Sequence, residues 1–477
     1  MAGNKVELKY ETSKENVCIV IDKYKFVLSN CLNNGKKRFR CANKKCSVSV
    51  LVDESVQTVL ESNGKEHNHE SVSQDQILKE SIAARIKRKT VEDLVTPPCK
   101  IIRSEVMLEE DKENSDVTLP HSCVSDFRQA VYRVRNKAYP NLPETAKEAY
   151  EQLFNMQESI KNKGEQFCFV NKAKNMVIFT TRENLLLLQN SKDIFGDGTF
   201  LFAPDLFQQF YSIHVYKNRY YVPVAFCFLT SKDEGVYERM WRELLHLSEQ
   251  LTGQPFIIDI FHADFELAAH NAVKKIFPSV LIKCCAFHLS QCWFKHIQGD
   301  KVLLRHYNDP SSTVGKWLKY FFGLPFLPHN EVLDGYIDLM HICPDRAIVK
   351  SFTDYVESNY LILPRFHPEI WVAPFTDGPR TTNGVESFHR TYNGQFYDAH
   401  PHVHKVVHTL RQIQTETNMK LHSIKKGKFQ MIRKETRDRE KELMDIWNQY
   451  TSDNPEIKIS RLTYIQKMGY KFQGKKI

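Results

Sequence analysis

The sequence predicts a mixed α/β chain: a small β-rich metal-binding module, a helical linker region, and a larger α/β core interrupted by helices. Three observations carry this. Residues 1–60 alternate in short strand-like runs (VELKYE, VCIVID, KYKFVL, RFRC, VSVLV), and a set of cysteines and histidines falls in and just after them. Between Asp193 and Thr230 three apolar runs follow one another at hairpin spacing. Beyond them helical and strand patterns alternate, until a largely helical, aromatic stretch takes over from about residue 300.

The chain has 477 residues, of which 42% are hydrophobic, enough for several domains with sizeable cores. Its 66 Lys and Arg against 57 Asp and Glu leave a net charge of +9, which permits a polyanionic partner without requiring one. No apolar run reaches the length of a membrane span, and MAGNKVELKY lacks the apolar core of a signal peptide, so the expected setting is intracellular. The twelve cysteines are then expected as thiols or metal ligands rather than as a disulfide framework.

After the first strands, the segment from Ser71 to Leu119 is polar. It holds the basic run Arg85–Lys89, a Thr-Pro-Pro break at 96–98 and the acidic stretch LEEDKENSD, and reads as short helices joined by a linker. A second basic stretch runs from Arg128 to Lys137, and residues 144–163 have helical spacing. FCFV and MVIFT then look like strands, followed by DIFGDGTFLFA, FQQFYSIHVY and YYVPVAFCFLT. Next come the amphipathic helix GVYERMWRELLHLSEQL, the strand PFIIDIF, the helix DFELAAHNAVKKIF, the strand VLIKC and the helix FHLSQCWFKHI. Three antiparallel-type strands followed by helix, strand, helix, strand, helix is the ribonuclease H-like order of elements. The expected division is 1–72, a metal-binding finger; 73–165, a helical linker and possible DNA-binding region; 166–298 with 376–415, the catalytic core; 299–375, a helical insertion; and 416–477, a basic helical tail.

Three acids occupy informative places. Asp197 lies in a strand, in GDGTF; Asp264 ends the PFIIDIFHAD strand; Glu386 lies early in a helix. Two-metal phosphoryl transfer needs carboxylates from separate elements to converge on ions about 3.5–4 Å apart. Each acid also has a plain structural reading: Asp197-Gly198 as a turn dipeptide, Asp264 as a helix N-cap, Glu386 as the partner of Asn383 in a capping box. Asp193, Asp205, Asp259 and Glu266 are possible substitutes, Asp259 the strongest because it lies in the same predicted strand as Asp264.

GDGTF, HADFELAAHNAVKKIFP, CCAFHLSQ and TTNGVESFHR resemble, in that order, the motifs of Mutator-like element (MULE) transposases. The resemblance spans roughly residues 190–395. It implies an RNase H-like core with an α-helical insertion and a DDE triad of Asp197, Asp264 and Glu386 holding Mg²⁺ or Mn²⁺ for DNA strand cleavage and transfer. It also implies a CxxH motif at Cys285 and His288, expected to pack beside the active site, since two ligands do not complete a tetrahedral zinc site. His389 shares the helical face of Glu386, where it either positions a phosphate or fills the core.

Cys41, Cys46, His67 and His69 give a two-Cys, two-His set suited to tetrahedral Zn²⁺. Lys44 and Lys45 support thiolate formation, and the extended H-x-H segment converges through Asn68. The arrangement resembles a FLYWCH-type zinc finger, with Cys31 as a decoy ligand. Candidate DNA contacts are Lys36, Lys37, Arg38, Arg40, Lys44 and Lys45 in the finger and Arg85, Lys87, Arg88 and Lys89 in the linker region, whose basic run reads equally as a solvated helix or a nuclear-import signal. The basic tail (Lys425, Lys426, Lys428, Arg433, Lys434) tracks phosphates or is simply a solvated face. The expected partners are double-stranded DNA, as element terminal repeats and target, and a second copy of the chain; the expected location is nuclear, with no membrane. The competing expectation is a domesticated, transposase-derived zinc-finger DNA-binding regulator without catalysis.

Overall fold

The computed structural model describes residues 5–11, 17–33, 35–111, 119–362, 365–373 and 383–472. The chain divides into two compact units, one of Met1–Leu142 with Gln395–Tyr397, the other of Pro143–Gly394 with Asp398–Ile477.

In the first unit, β1 (Leu8–Glu11), β2 (Val17–Ile21), β3 (Tyr24–Cys31), β4 (Lys37–Cys41), β5 (Ser49–Val52) and β6 (Val59–Ser62) form a six-stranded antiparallel sheet in chain order. Period-2 patterning sets the sides: in β4, Phe39 and Cys41 are buried while Arg38 and Arg40 are exposed. Ile19, Phe26, Phe39, Val48, Val50 and Val52 form the sheet's small core. Three helices follow, α1 (Gln74–Glu92), α2 (Pro98–Glu110) and α3 (Ser122–Ala138). They pack through Ile82, Ile86, Ile101, Ile102, Phe127 and Val131. Ser73 caps α1 by accepting from the Gln76 N–H, and Pro98 opens α2, where a missing N–H costs nothing. Part of the expected acidic linker, residues 112–118, lies outside the described residues.

The second unit is built on a seven-stranded sheet. After α4 (Ala146–Met156) come β7 (Cys168–Asn171), β8 (Met176–Phe179), α5 (Arg182–Gln189), β9 (Asp193–Thr199), β10 (Gln209–Lys217), β11 (Tyr220–Leu229), α6 (Glu234–Thr252), β12 (Ile260–Ala263), α7 (Leu267–Ile276), β13 (Leu281–Cys284) and α8 (Ala286–Gly299). The strand order is β13-β12-β9-β10-β11-β8-β7. β9, β10 and β11 pair antiparallel, whereas β12 runs parallel to β9 and β13 parallel to β12. Residues beyond 190 supply five of the seven strands, and the β7–β8 hairpin extends the sheet past β11. β10 and β11 read as continuous apolar runs because both their faces are covered. On one face Tyr211 meets Tyr237 of α6; on the other Phe210, His214 and Phe226 meet Phe388 and Tyr392 of α14 (Asn383–Asn393).

Two expectations are corrected. The PFIIDIF strand begins only at Ile260, so Asp259 precedes β12 instead of lying within it. The expected boundary at 415/416 falls inside a helix, α15 (Val403–Lys425). The expected insertion contains α9 (Lys301–Asn308), α10 (Thr313–Tyr320), α11 (Val332–His341), α12 (Arg346–Val356) and the short α13 (Pro368–Trp371). Its core takes in part of the tail. After α16 (Lys434–Thr451), α17 (Arg461–Phe472) buries Tyr464, Ile465 and Met468 among residues that include Phe321, Leu324 and Tyr336. A Cβ on Gly323 would strike the backbone of Ile465, and one on Gly469 the backbone of Lys319 and Tyr320, so the two segments touch main chain to main chain. The Tyr464 hydroxyl donates to the Phe326 carbonyl at 3.0 Å.

Candidate active site and metal centre

β9, β12 and β13 are parallel, so their C-terminal ends share one edge of the sheet, and the functional side chains gather there. Asp197 lies near the end of β9, Asp264 directly follows β12 and Cys285 directly follows β13. Strand alternation sends Asp197 to the face covered by α14 and its two glycine neighbours to the opposite face. The glycines are required by close approach. A Cβ on Gly196 would collide with Tyr211 and Phe261, and one on Gly198 with the Gln209 side chain. GDG is therefore a packing motif around one acid and not a hairpin tip.

Asp197 pairs in register with Ser212 of β10, so both point at α14. There His389 Nδ1 lies 3.2 Å from Asp197 Oδ2, and Nε2 of the same ring 2.7 Å from Ser212 Oγ. His214 Nε2 lies 2.9 Å from that hydroxyl. A carboxylate only accepts, so Nδ1 of His389 carries its hydrogen. Burial holds His214 well below its usual pKa, leaving it neutral. Its Nε2–H can then donate to Ser212, whose hydroxyl turns to His389. Burial works against ionising Asp197. The His389 contact, the imidazoles of His389 and His288, and the Gly198 N–H at 2.9 Å outweigh it and hold the carboxyl below its usual range.

Asp264 is shifted the other way. Burial first, then the negative charge of Asp197, raises its pKa, while His288, Lys232 and the Glu266 backbone N–H pull it down. Its carbonyl accepts from His270 Nε2 at 2.7 Å. Glu266 accepts from the Tyr237 hydroxyl at 3.0 Å, and burial and Asp264 raise its pKa too. Two carboxyls with raised pKa beside an ionised one mark an excess of negative charge.

Glu386 comes across from α14 to a different pair. His288 Nε2 and Cys285 Sγ lie 3.7 and 3.8 Å from Glu386 Oε1. Burial lowers the His288 pKa, but the Cys285 hydrogen bond and the charges of Cys285, Asp197 and Glu386 prevail and push it up to about 9. Among the described residues, two sets of His, Cys, Asp and Glu bring ligand atoms within 4.8 Å of one another: Cys41, Cys46, His67 and His69, and Cys285, His288 and Glu386. The three acids of the expected triad do not form such a set. Thr381 and Thr382, which open the fourth motif, lie outside the described residues.

The substitutes separate by position. Asp193 and Asp259 sit at the opposite ends of β9 and β12, bound to His262 at 3.3 Å and Lys192 at 3.6 Å. Asp205 is an exposed loop residue. Glu266 alone of the four stands beside Asp264. Sequence reasoning missed Ser212, His214, Tyr237 and Lys232. The one available signal was SIH, two polar residues on one face of a buried strand.

In the finger, Cys41 closes β4 and Cys46 follows its turn, while the Asn68 side chain donates to the Lys45 carbonyl at 3.1 Å and ties down the H-x-H segment. Cys41 Sγ lies 3.2 Å from His69 Nε2 and Cys46 Sγ 3.4 Å from His67 Nδ1. The His67 ring stacks on Tyr24 at 3.6 Å between centroids. Two thiols and two imidazoles at these separations fit Zn²⁺. Cys31 is exposed and stands outside the set. Arg38, Arg40, Lys44 and Lys45 are exposed, and Lys36 and Lys37 half-buried. On α1 the expected DNA contacts divide. Arg85 binds Glu105 at 3.1 Å and Glu109 at 2.8 Å, and Lys89 binds Glu105 at 3.0 Å, whereas Arg88 is exposed and Lys87 half-buried.

Residues 194–292 match the MULE transposase domain, and residues 9–69 the FLYWCH zinc finger domain. The first match contains Asp197, Asp264, Cys285 and His288 and stops short of Glu386; the second contains all four finger ligands. No curated protein matches the chain. No helix among the described residues is long and apolar enough to cross a membrane. Together the two matches support a MULE transposase with an N-terminal FLYWCH zinc finger.

Proposed function

We propose that the chain is a DNA transposase of the MULE type, with Asp197, Asp264 and Glu386 as a DDE triad on an RNase H-like core. The observation that carries this reading is the placement of Asp197 and Asp264 at the same ends of adjacent parallel strands, with the charge of Asp197 raising the proton affinity of Asp264, in a sheet ordered 3-2-1-4-5 over β9–β13. Glu386 approaches on the helix that covers Asp197. Buried carboxylates with surplus negative charge are oxygen donors suited to hard ions, Mg²⁺ or Mn²⁺. Bound there, such ions would lower the pKa of the attacking oxygen and offset charge on the phosphate.

The chain's own residues prepare the site. His389, braced by Ser212 and His214, fixes the Asp197 rotamer and keeps it ionised. Asp264, whose proton affinity is raised by burial and by Asp197, would offer its carboxylate to a cation held beside Asp197. Lys232, exposed beside Asp264 and Glu266, offers positive charge to an incoming phosphodiester. In the finger, Arg38, Arg40, Lys44 and Lys45 offer phosphate or base contacts, and on α1 Lys87 and Arg88 remain after Arg85 and Lys89 turn to acids. This reading implies self-association, because two element ends are joined, and a nuclear location, where such DNA is held.

One observation favours the second reading, a domesticated zinc-finger regulator: Glu386 stands with Cys285 and His288 and not in one ligand set with the aspartates. Cleavage of DNA carrying the cognate ends, in Mg²⁺ or Mn²⁺, separates the two. Metal-dependent nicking at the ends supports the enzyme; tight end binding with no nicking supports the regulator.

A further inference from the structure

Two donors are too few for a tetrahedral ion, and on that ground Cys285 and His288 were expected only to pack beside the acids. The fold brings a third donor. Cys285 precedes α8, His288 sits in its first turn, and Glu386 reaches them from α14, with one carboxylate oxygen 3.7 Å from the imidazole nitrogen and 3.8 Å from the sulfur. Ligands bound at about 2.0–2.3 Å to a tetrahedral ion stand about 3.5 Å apart. The carboxylate must therefore close by only a few tenths of an ångström on each of the other two donors. In the finger the corresponding separations are 3.2 and 3.4 Å.

The ligand atoms of all three side chains lie within 4.8 Å of one another, and the three residues are buried or half-buried. The donors also ride on seated elements. The Cys285 N–H donates to the Ala263 carbonyl at 3.2 Å, and α14 is held by Tyr392 stacked on Phe210 at 4.2 Å.

Donor chemistry selects the ion. A thiolate and an imidazole beside one carboxylate favour zinc-class ions, whereas Mg²⁺ takes oxygen. We propose that Cys285, His288 and Glu386 form a second zinc-class site, separate from the finger, with three protein ligands and one open position. Such a site exchanges its ion or binds an outside oxygen, unlike a closed structural site. Its consequence rests on the triad reading: zinc held there occupies Glu386 and lowers Mg²⁺-dependent cleavage. The site itself does not depend on that reading.

The test counts zinc on the full chain after equilibration with Zn²⁺ and removal of excess. The expected result is two equivalents for the wild type, one for Cys285→Ala, and one for Cys41→Ser, which loses only the finger's ion. A single equivalent in the wild type that Cys41→Ser abolishes overturns the proposal, as do two equivalents that survive Cys285→Ala. Should Cys285→Ala fail to fold, X-ray absorption at the zinc edge of the wild type decides: three sulfur ligands spread over two ions support the site, and two sulfurs on one ion refute it. Neither readout involves cleavage. A chain that binds two zinc ions and still does not cut cognate ends in Mg²⁺ after the second ion is removed keeps this site and loses the triad.

Discussion

His389 Nδ1 stands 3.2 Å from Asp197 Oδ2, joining the helix that carries one acid of the proposed triad to the central strand that carries another. Removing a group that orients a metal-binding carboxylate typically costs about 10- to 100-fold in metal affinity. His389→Ala is therefore expected to raise the Mg²⁺ concentration needed for half-maximal cleavage by that factor, with a smaller effect at saturating Mg²⁺. A loss that saturating metal does not repair assigns His389 a different role.

Asp197→Asn, Asp264→Asn and Glu386→Gln are each expected to lower metal-dependent cleavage of cognate ends at least about 1000-fold, as for groups acting as one unit. Binding of the ends should persist, because the basic contacts lie elsewhere. Asp193→Asn and Asp259→Asn, at the far ends of their strands, should cut normally. An Asp197→Asn protein that cuts at the wild-type rate removes the triad.

Glu266, one of the possible substitutes, stands beside Asp264 and shares its surplus of negative charge. Glu266→Gln takes away a negative charge and should weaken metal affinity about tenfold without abolishing cleavage. A Mg²⁺ titration matching the wild type would return Glu266 to the role of a Tyr237 partner.

Buried His270 has its pKa lowered to about 4, chiefly by burial. Its unfolded value is near 6.5, so the unfolded chain takes up a proton first as pH falls. Stability is retained above about pH 6.5 and lost progressively down to about pH 4, by about 3 kcal/mol at one pKa unit per 1.4 kcal/mol. Denaturant melts at stepped pH should show that slope reduced in His270→Gln; an unchanged slope places the acid sensitivity elsewhere.

In the finger, Cys41→Ser should release one zinc ion and unfold the β1–β6 sheet, because small modules of this kind draw about 10–16 kcal/mol of apparent folding energy from the metal. Loss of strand signal on chelation, with the helical signal retained, checks this. A sheet that survives chelation intact contradicts it.

Strand sequence and the finger ligands were legible because both rest on local pattern: alternation in β1–β6, apolar runs in β9–β11, and four ligands inside one short module. What escaped depended on register and on distant partners. Asp259 and Asp264 look alike within one apolar run; the pairings of Ile260 with Asp193 and of Ala263 with Cys284 show that β12 starts after the first and ends before the second. Ser212 gains its meaning from lying opposite Asp197, and His389 from a helix 177 residues further on. Arg85 reads as a DNA contact until Glu105 and Glu109 are seen to face it.

The main-chain contact between Gly323 and Ile465, and between Gly469 and Lys319, sets an order of events during synthesis. Tyr464 reaches Phe326 across 138 residues, so the helices around Phe321, Phe322 and Leu324 emerge from the ribosome well before the strip that covers them. At ~5–20 residues per second that interval lasts roughly seven to thirty seconds, during which an aromatic surface stands open to water and to other nascent chains. Translation stopped before Arg461 would leave that surface uncovered for good, so expression of such a truncation is expected to yield aggregates even though every proposed catalytic residue has already been made.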